Sequence, residues 1–457
     1  MRSKRSIVFM VSLFLIFLAI GIFPWNLSAS AANYTDGFVP ATDKNIRYLG
    51  RWEKQSNGAY YGYFESGLEF AFTGTSLAIE LDGISGILYS IDGSEYTDIT
   101  APKGKLVAAT GLSEGDHLLK LYSRFETGRP KIAGFHIDKG AKSLPVTEKP
   151  KIEFIGDSIT VGWIGRNYMQ YNNLRYSYAF LTGEALGYSH NTVAFGGITV
   201  VPGAGSPDNS GMINRYFKLS EFNQSEPDSP AWDTSKYIPD YIVINLGTND
   251  VVTEDDFKKG YAEFLKKLRN SYPKAVIFAM SPFGGKYSDG IYNAVQSRIN
   301  EGDNSIVFID TRGWISWRNT TDGVHLTKEA HVTAAQKLTA ILKQYITNRT
   351  TPSTTATTTK AAITSTTASQ KNTVSNSGDT KTTQVNSDTS IATDINKTDV
   401  ITFSPTENIA TTSGSSESPQ NTPSGQISIL NIVVITASVI LIIGAVLFII
   451  FRKKLGL

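Results

Sequence analysis

The stretch Ile152-Glu-Phe-Ile-Gly-Asp-Ser-Ile-Thr-Val-Gly162 joins a short apolar run to a polar turn. The apolar residues predict a strand at Ile152–Ile155, after which Gly156 permits a tight turn and Ser158 opens a helix. Downstream, strand patterns alternate with helical patterns, which predicts a parallel, doubly wound α/β sheet. Ligands bind such sheets beyond the carboxyl ends of the strands, so the residues that follow each strand are candidates for chemistry.

The segment from 150 to 347 repeats this alternation and is predicted to form one α/β domain. Further strands are expected at Tyr241–Leu246, Ala275–Met280 and Ile306–Ile309. Two sets of apolar residues recur at helical spacing and predict buried helix faces. The first set is Phe257, Tyr261, Phe264, Leu265 and Leu268, and the second is Ala330, Ala334, Leu338, Ile341, Leu342 and Tyr345.

Three polar motifs come after predicted strands of this domain. They are Gly156-Asp-Ser158, Gly247-Thr-Asn-Asp250 and Asp322-Gly-Val-His325. A serine attacks an ester only when a neighbouring base takes its proton, and a carboxylate can orient that base. Each motif alone is also a common turn or helix cap, so their joint occurrence in this order is what indicates a catalytic site.

Together the motifs resemble those of the SGNH, or GDSL-type, hydrolases, over roughly residues 150–347. The resemblance implies that Ser158 is the nucleophile, His325 the general base and Asp322 the acid that supports it.

The same resemblance implies an oxyanion hole formed by Ser158, Asn249 and a glycine N–H from the segment 193–199. We assign Gly197 to that role. Gly196 stays the alternative, because this segment departs from the family's usual Ser-Gly-x-Gly.

In the preceding segment, residues 33–149, the apolar residues have a different spacing. Apolar residues at a period of two, separated by Gly-containing turns, predict short strands and therefore a β-sandwich or jelly roll. The clearest of these residues are Leu68, Phe70 and Phe72, which alternate with Glu69 and Ala71, followed by Leu77, Ile79 and Leu81.

Two segments of this β-rich region make the family resemblance more specific. They are Gly111-Leu-Ser-Glu-Gly-Asp-His117 and Ile132-Ala-Gly-Phe-His-Ile-Asp138. A jelly roll of this kind directly before an SGNH domain resembles carbohydrate esterase family 2, over roughly residues 40–347. The resemblance implies a serine esterase that deacetylates polysaccharides such as xylan or glucomannan, with no metal ion or other cofactor. In some members a backbone carbonyl supports the histidine in place of the aspartate, which leaves the role of Asp322 open.

The net charge of the chain indicates its partners, and the two ends of the chain indicate its location. With 43 basic and 41 acidic residues the chain carries a formal charge of +2, so no nucleic-acid partner is expected, and with no cysteine it has no disulfide. In residues 1–31, basic residues are followed by an apolar run and then by small residues, which is the order found in a cleaved signal peptide. An uncleaved signal anchor is the alternative. Residues 348–425 are predicted to be a disordered Thr/Ser-rich stalk or linker.

The apolar run Ile427–Phe451 is long enough for one transmembrane helix. Arg452, Lys453 and Lys454 follow it, which predicts that residues 452–457 form a cytoplasmic tail. We therefore expect the two folded domains on the extracellular face of the cell membrane.

Other readings of the same residues stay open here. A metallohydrolase could use Asp157, Asp250, Asp322 and His325. This set contains only one histidine, which disfavours a metal site. The β-sandwich could belong to a carbohydrate-binding surface protein whose hydrolase is inactive. The substrate could instead be an acetylated cell-surface glycan, peptidoglycan or a lipid. Four aromatic residues near predicted strand ends could face sugar rings or pack in the core: Trp163, Trp314, Trp317 and Tyr287.

Overall fold

The computed structural model describes residues 37–124, 128–164, 174–205, 209–220, 229–350 and 402–403. The predicted signal peptide at 1–31, most of the predicted linker at 348–425 and the predicted transmembrane helix at 427–451 lie outside these ranges. Among the described residues, no helix combines the length and the apolar character needed to cross a membrane. The expected membrane helix therefore stays a prediction.

The first part of the described chain is a β-rich domain with two antiparallel layers. Its strands are β1 (Phe38–Pro40), β2 (Arg47–Lys54), β3 (Tyr60–Thr73), β4 (Leu77–Leu81), β5 (Ser85–Ile91), β6 (Thr97–Ala101), β7 (Gly104–Ala109), β8 (Asp116–Ser123), β9 (Lys131–Ile137) and β10 (Ser143–Leu144). One layer has the order β2-β3-β8-β5-β6, with β10 also on β3, and the other has the order β1-β9-β4-β7.

The predicted period of two is confirmed in this domain, because Leu68, Phe70 and Phe72 of β3 are all buried in one apolar core. Leu77, Ile79 and Leu81 of β4 enter the same core. Phe70 and Phe135 stack there, with ring centroids 4.4 Å apart.

The second part is an α/β domain, as the sequence predicts. Its strands are β11 (Lys151–Gly156), β12 (Ser189–Ala194), β13 (Tyr241–Asn245), β14 (Val276–Met280) and β15 (Ile306–Ile309). Its helices are α1 (Ser158–Val161), α2 (Tyr178–Leu186), α3 (Met212–Arg215), α4 (Glu254–Ser271), α5 (Ser288–Asn300) and α6 (Lys328–Thr350), with short 3₁₀ turns at Leu174–Tyr176, Thr234–Lys236 and Trp317–Asn319.

The five strands are parallel and lie in the order β12-β11-β13-β14-β15. The chain order therefore reverses between β11 and β13, and a crevice opens at the carboxyl ends of the strands at such a switch point. Helices cover both faces of the sheet. The predicted apolar face of α4 packs on one side, and that of α6 packs on the other.

Strand β12 is one element that the sequence patterns do not predict. Its six residues, Ser-His-Asn-Thr-Val-Ala, are all buried although four of them are polar. The β-rich domain covers this edge of the sheet, and β3 pairs antiparallel with β12 at Glu65 and Thr192. Because the side chains of β12 find polar partners in that junction, the strand lacks the apolar composition that marks a buried strand.

The junction also explains why Glu69 is buried. Glu69 lies on the face of β3 opposite the apolar core, as the alternation requires, but that face meets the α/β domain instead of water. Its Oε2 accepts hydrogen bonds from Arg47 Nη1 and Ser189 Oγ, both at 3.2 Å. The two domains are thus joined through polar contacts.

One short segment from the predicted linker belongs to the sheet. Thr402–Phe403 forms β16, which pairs parallel with β15 at the outer edge. The composition of residues 348–425 does not predict this strand, because two residues are too few to show a period.

Candidate active site

Ser158 is the first residue of α1 and follows β11 at the switch point of the sheet. Gly156, the last residue of β11, has no room for a side chain. A Cβ there would lie 1.9 Å from Thr160 Oγ1 and 3.0 Å from the carbonyl oxygen of Asn245. The glycine is therefore needed for the close packing of α1 on the strands, and not for the tight turn that its sequence position predicts.

Three predicted residues form one chain of hydrogen bonds. Ser158 Oγ lies 2.9 Å from His325 Nε2, and His325 Nδ1 lies 2.8 Å from Asp322 Oδ2. Ser158 is buried, at 4% exposure. The arrangement is that of a nucleophile, a base and an orienting carboxylate.

Asp322 also holds the backbone of the loop that carries the histidine. Its Oδ1 accepts the N–H of His325 at 2.9 Å and that of Val324 at 3.1 Å. Burial opposes the charged form, but these N–H groups and the His325 ring outweigh it and lower the pKa of Asp322 to about 2. The carboxylate therefore stays ionised over the neutral range, where it can stabilise a protonated imidazole.

Asn249 follows β13, next to β11, and its side chain is fixed. Asn249 Nδ2 donates a hydrogen bond to the carbonyl oxygen of Ile198 at 3.0 Å. Since an amide nitrogen carries two hydrogens, one of them remains for a second acceptor.

Asp250 connects the loop after β13 to the segment that follows Gly196 and Gly197. From the sequence, this residue was only a candidate metal ligand. Its carboxylate accepts the N–H of Val200 at 2.9 Å and that of Val201 at 3.0 Å. Both oxygens are thus engaged by backbone. Within the described ranges, no three histidine or carboxylate side chains converge as a metal site.

The two candidate glycines lie in the loop that Asn249 and Asp250 hold. Gly197 has φ of +78°, a conformation that glycine adopts readily. A Cβ on Gly196 would lie 2.4 Å from Trp163 Cζ2, so the indole occupies the space beside that residue. Each glycine therefore has a separate steric reason to be there.

Two buried titratable groups lie behind the serine. Burial raises the pKa of Asp157 to about 6, although its Oδ1 accepts the N–H of Ile159 at 3.0 Å. Burial lowers the pKa of His331 to about 4, and its Nδ1 accepts the N–H of Tyr178 at 3.1 Å. Asp157 caps α1, and His331 accepts the first N–H of α2, whose N-cap is Ser177, so both contact the helices around the site.

The four aromatic candidates have different surroundings. Trp163 is half-buried, with its ring centroid 5.5 Å from that of His325. Trp314 is buried in the core, and Tyr287 stacks on Phe257 with ring centroids 4.1 Å apart. Trp317 is 74% exposed and begins the 3₁₀ turn that precedes Asp322.

Comparison with protein families finds two matching regions. Residues 154–332 match the GDSL-like Lipase/Acylhydrolase family, and residues 48–146 match the Carbohydrate esterase 2 N-terminal family. The first region lies in the α/β domain and contains Ser158 and His325. The second lies in the β-rich domain.

Two known bacterial proteins are similar over about two thirds of this chain. Cellulase/esterase CelE of Acetivibrio thermocellus is 29% identical over 334 residues, which are 67% of this chain and 40% of CelE. An acetylxylan esterase / glucomannan deacetylase of Cellvibrio japonicus is 26% identical over 329 residues, which are 67% of this chain and 90% of that enzyme. The alignment thus covers less than half of CelE but most of the Cellvibrio enzyme.

A solved structure is similar in fold. It is a family two carbohydrate esterase from Clostridium thermocellum in complex with cellohexaose, with a TM-score of 0.57 and 25% identity. The similarity covers 66% of this chain and 99% of that structure. This chain is therefore a GDSL-type hydrolase with a carbohydrate esterase 2 N-terminal domain, and it belongs to carbohydrate esterase family 2.

Proposed function

We propose that this protein is a serine esterase that releases acetyl groups from an acetylated polysaccharide such as xylan or glucomannan, through an acyl-enzyme on Ser158. The observation that carries the proposal is the hydrogen-bonded chain from Ser158 through His325 to Asp322 at the switch point of the sheet. The acetylxylan and glucomannan substrates are suggested by the similarity to the Cellvibrio enzyme.

In the first step Ser158 Oγ attacks the carbonyl carbon of the ester, and His325 Nε2 takes the hydroxyl proton. The tetrahedral intermediate carries a negative oxygen, which needs fixed hydrogen-bond donors. We assign these to the backbone N–H groups of Ser158 and Gly197 and to the second amide hydrogen of Asn249. The bond from Asn249 to Ile198 fixes the direction of that hydrogen before substrate arrives.

The intermediate then loses the sugar hydroxyl, which leaves with the proton from His325, and the acyl group stays on Ser158. A water molecule gives its proton to His325 and attacks the acyl-enzyme, which releases acetate and returns the proton to the serine. Asp322 keeps the Nδ1 hydrogen in place through both steps and stabilises the imidazolium.

The test is acetate release from acetylated xylan, acetylated glucomannan and O-acetylated peptidoglycan by the wild type and by Ser158→Ala. Removing the nucleophile should lower kcat by about 10⁴-fold or more, because the serine and histidine act as a unit. Thermal melting of both proteins controls for folding. Equal acetate release by the folded variant would rule out Ser158 as the nucleophile, and release from peptidoglycan alone would rule out the proposed substrates.

We further propose that the β-rich domain is a jelly roll and that the enzyme acts outside the cell, attached through residues 427–451. The apolar run Ile427–Phe451 and the basic residues after it support the attachment. Intact cells should then release acetate from added polysaccharide, and proteolysis within 348–425 should free a soluble, active fragment. Activity that requires cell lysis would contradict this location.

A further inference from the structure

Trp163 lies beside the catalytic residues without belonging to any of the three polar motifs. Its indole packs against Gly196, where a Cβ would lie 2.4 Å from Cζ2 and 2.6 Å from Cη2. Its ring also contacts the catalytic imidazole, with centroids 5.5 Å apart and planes inclined by 36°. One side chain therefore touches both the glycine loop and the proposed base.

The position of this indole is set by the nucleophile's own helix. Gly162 ends α1 with φ of +96°, which turns the chain back at once towards the site. The backbone N–H of Trp163 then donates to the carbonyl oxygen of Ser158 at 2.9 Å. This bond fixes the backbone of Trp163 relative to that of Ser158, and the indole then packs against Gly196 and His325.

A bound ester must lie close to this indole. Its carbonyl carbon meets Ser158 Oγ, and its carbonyl oxygen points to the donors of the glycine loop. The glycine loop and His325 flank the serine, and Trp163 contacts both of them. The ester bound at Ser158 therefore meets a rigid, flat ring on the side of the glycine loop and His325.

We propose that Trp163 is a specificity-determining residue that restricts the acyl group to acetyl or a chain of similar length. The inference rests on the proposed esterase function and deepens it, because it assigns the acyl selectivity to one side chain. A smaller side chain at 163 opens space beside Gly196 and His325, and a longer acyl chain fills that space.

The experiment measures kcat/KM on p-nitrophenyl acetate, propionate and butyrate for the wild type, Trp163→Phe, Trp163→Leu and Trp163→Ala. One methylene in an apolar pocket changes kcat/KM by about 10-fold or more. The ratio of acetate to butyrate should therefore fall by about 10-fold or more in Trp163→Ala, and by less in Trp163→Phe. Trp317→Ala is the matched comparison, since that tryptophan is 74% exposed and should leave the ratio unchanged.

The outcomes separate this inference from the proposed function. If the wild type shows no acetate release that depends on Ser158, the esterase function itself is wrong. If the wild type prefers acetate and the folded Trp163 variants keep that ratio within about twofold, the inference about the indole is wrong. A Trp163→Ala variant that changes only KM for polysaccharide would also overturn it, because the indole would then contact the sugar and not the acyl group.

Discussion

Asp322 makes one contact that a turn-forming aspartate does not need, which is its hydrogen bond to the ring of His325. One oxygen faces the ring of His325, and the other holds two N–H groups of the same loop. The residue could be recognised from the sequence because it lies three positions before the histidine, and a local motif preserves that distance. Trp163 could not be recognised in this way, because its contacts with Gly196 and His325 join residues far apart in the chain.

We predict that Asp322→Asn lowers kcat by about 10²- to 10⁴-fold while the fold is kept. The amide retains one oxygen for the loop, but it cannot supply the charge that supports a protonated His325. The matched control is Asp92→Asn, because Asp92 makes a similar 2.6 Å contact with His117 in the β-rich domain. Retention of more than a tenth of the activity in Asp322→Asn would show that another group, such as a backbone carbonyl, supports the imidazole.

Two buried titratable groups, Asp157 at the start of α1 and His331 against the start of α2, have opposite pKa shifts. The pKa of Asp157 rises from 3.8 to about 6, so the folded state binds a proton that the unfolded state releases. The pKa of His331 falls from 6.5 to about 4, so the folded state stays neutral where the unfolded state is protonated. As pH falls through this range, Asp157 stabilises the fold and His331 destabilises it. The two contributions largely cancel in the wild type.

Single variants should therefore reveal opposite slopes of stability against pH. Relative to the wild type, His331→Asn should gain about 3 kcal/mol of unfolding free energy as pH falls from 6.5 to 4, because the loss due to His331 is removed. Asp157→Asn should lose a similar amount as pH falls from about 6 to 3.8. Urea unfolding at five pH values measures both. Parallel curves for the wild type and the variants would contradict the assigned shifts.

The two domains share buried charges, which makes them one unit in the described chain. Arg51 of β2 and Glu153 of β11 are 1% and 2% exposed, with Nη1 and Oε2 3.8 Å apart. Arg51 also donates to the carbonyl oxygen of Tyr216 at 2.6 Å, and Asn191 of β12 donates to Glu153 at 2.8 Å. A buried charge that loses its partner is far more costly than a buried pair.

We predict that Arg51→Met lowers the unfolding free energy by about 3–5 kcal/mol, because Glu153 is left buried without its counter-charge. The double variant Arg51→Met/Glu153→Gln should recover part of this loss. Both domains should unfold in one calorimetric transition that shifts as a whole. Lys258→Met serves as control, since its ion pair with Asp255 is exposed on the surface of α4. Two separate transitions, with only one displaced, would contradict the joint unfolding.

Patterns among residues close together in the sequence were sufficient to predict many of the strands, the helix faces and the polar motifs of this protein. The periods of two and of about 3.6 predicted the strand faces of the β-rich domain and the buried faces of α4 and α6, because such periods follow from the backbone geometry of each element. The motifs around Ser158, Asn249 and His325 carried the family resemblance for the same reason. The chain ends at 1–31 and 427–451 remain predictions from composition.

Contacts between distant residues required the folded structure. Strand β12 is polar, and its burial depends on the β-rich domain that covers it, so its own sequence contains no apolar period. The pKa shifts of Asp157 and His331 and the placement of Trp163 against His325 likewise depend on which elements the sheet order brings together. Burial and proximity are properties of the packed molecule, and a pattern of neighbouring residues does not specify them.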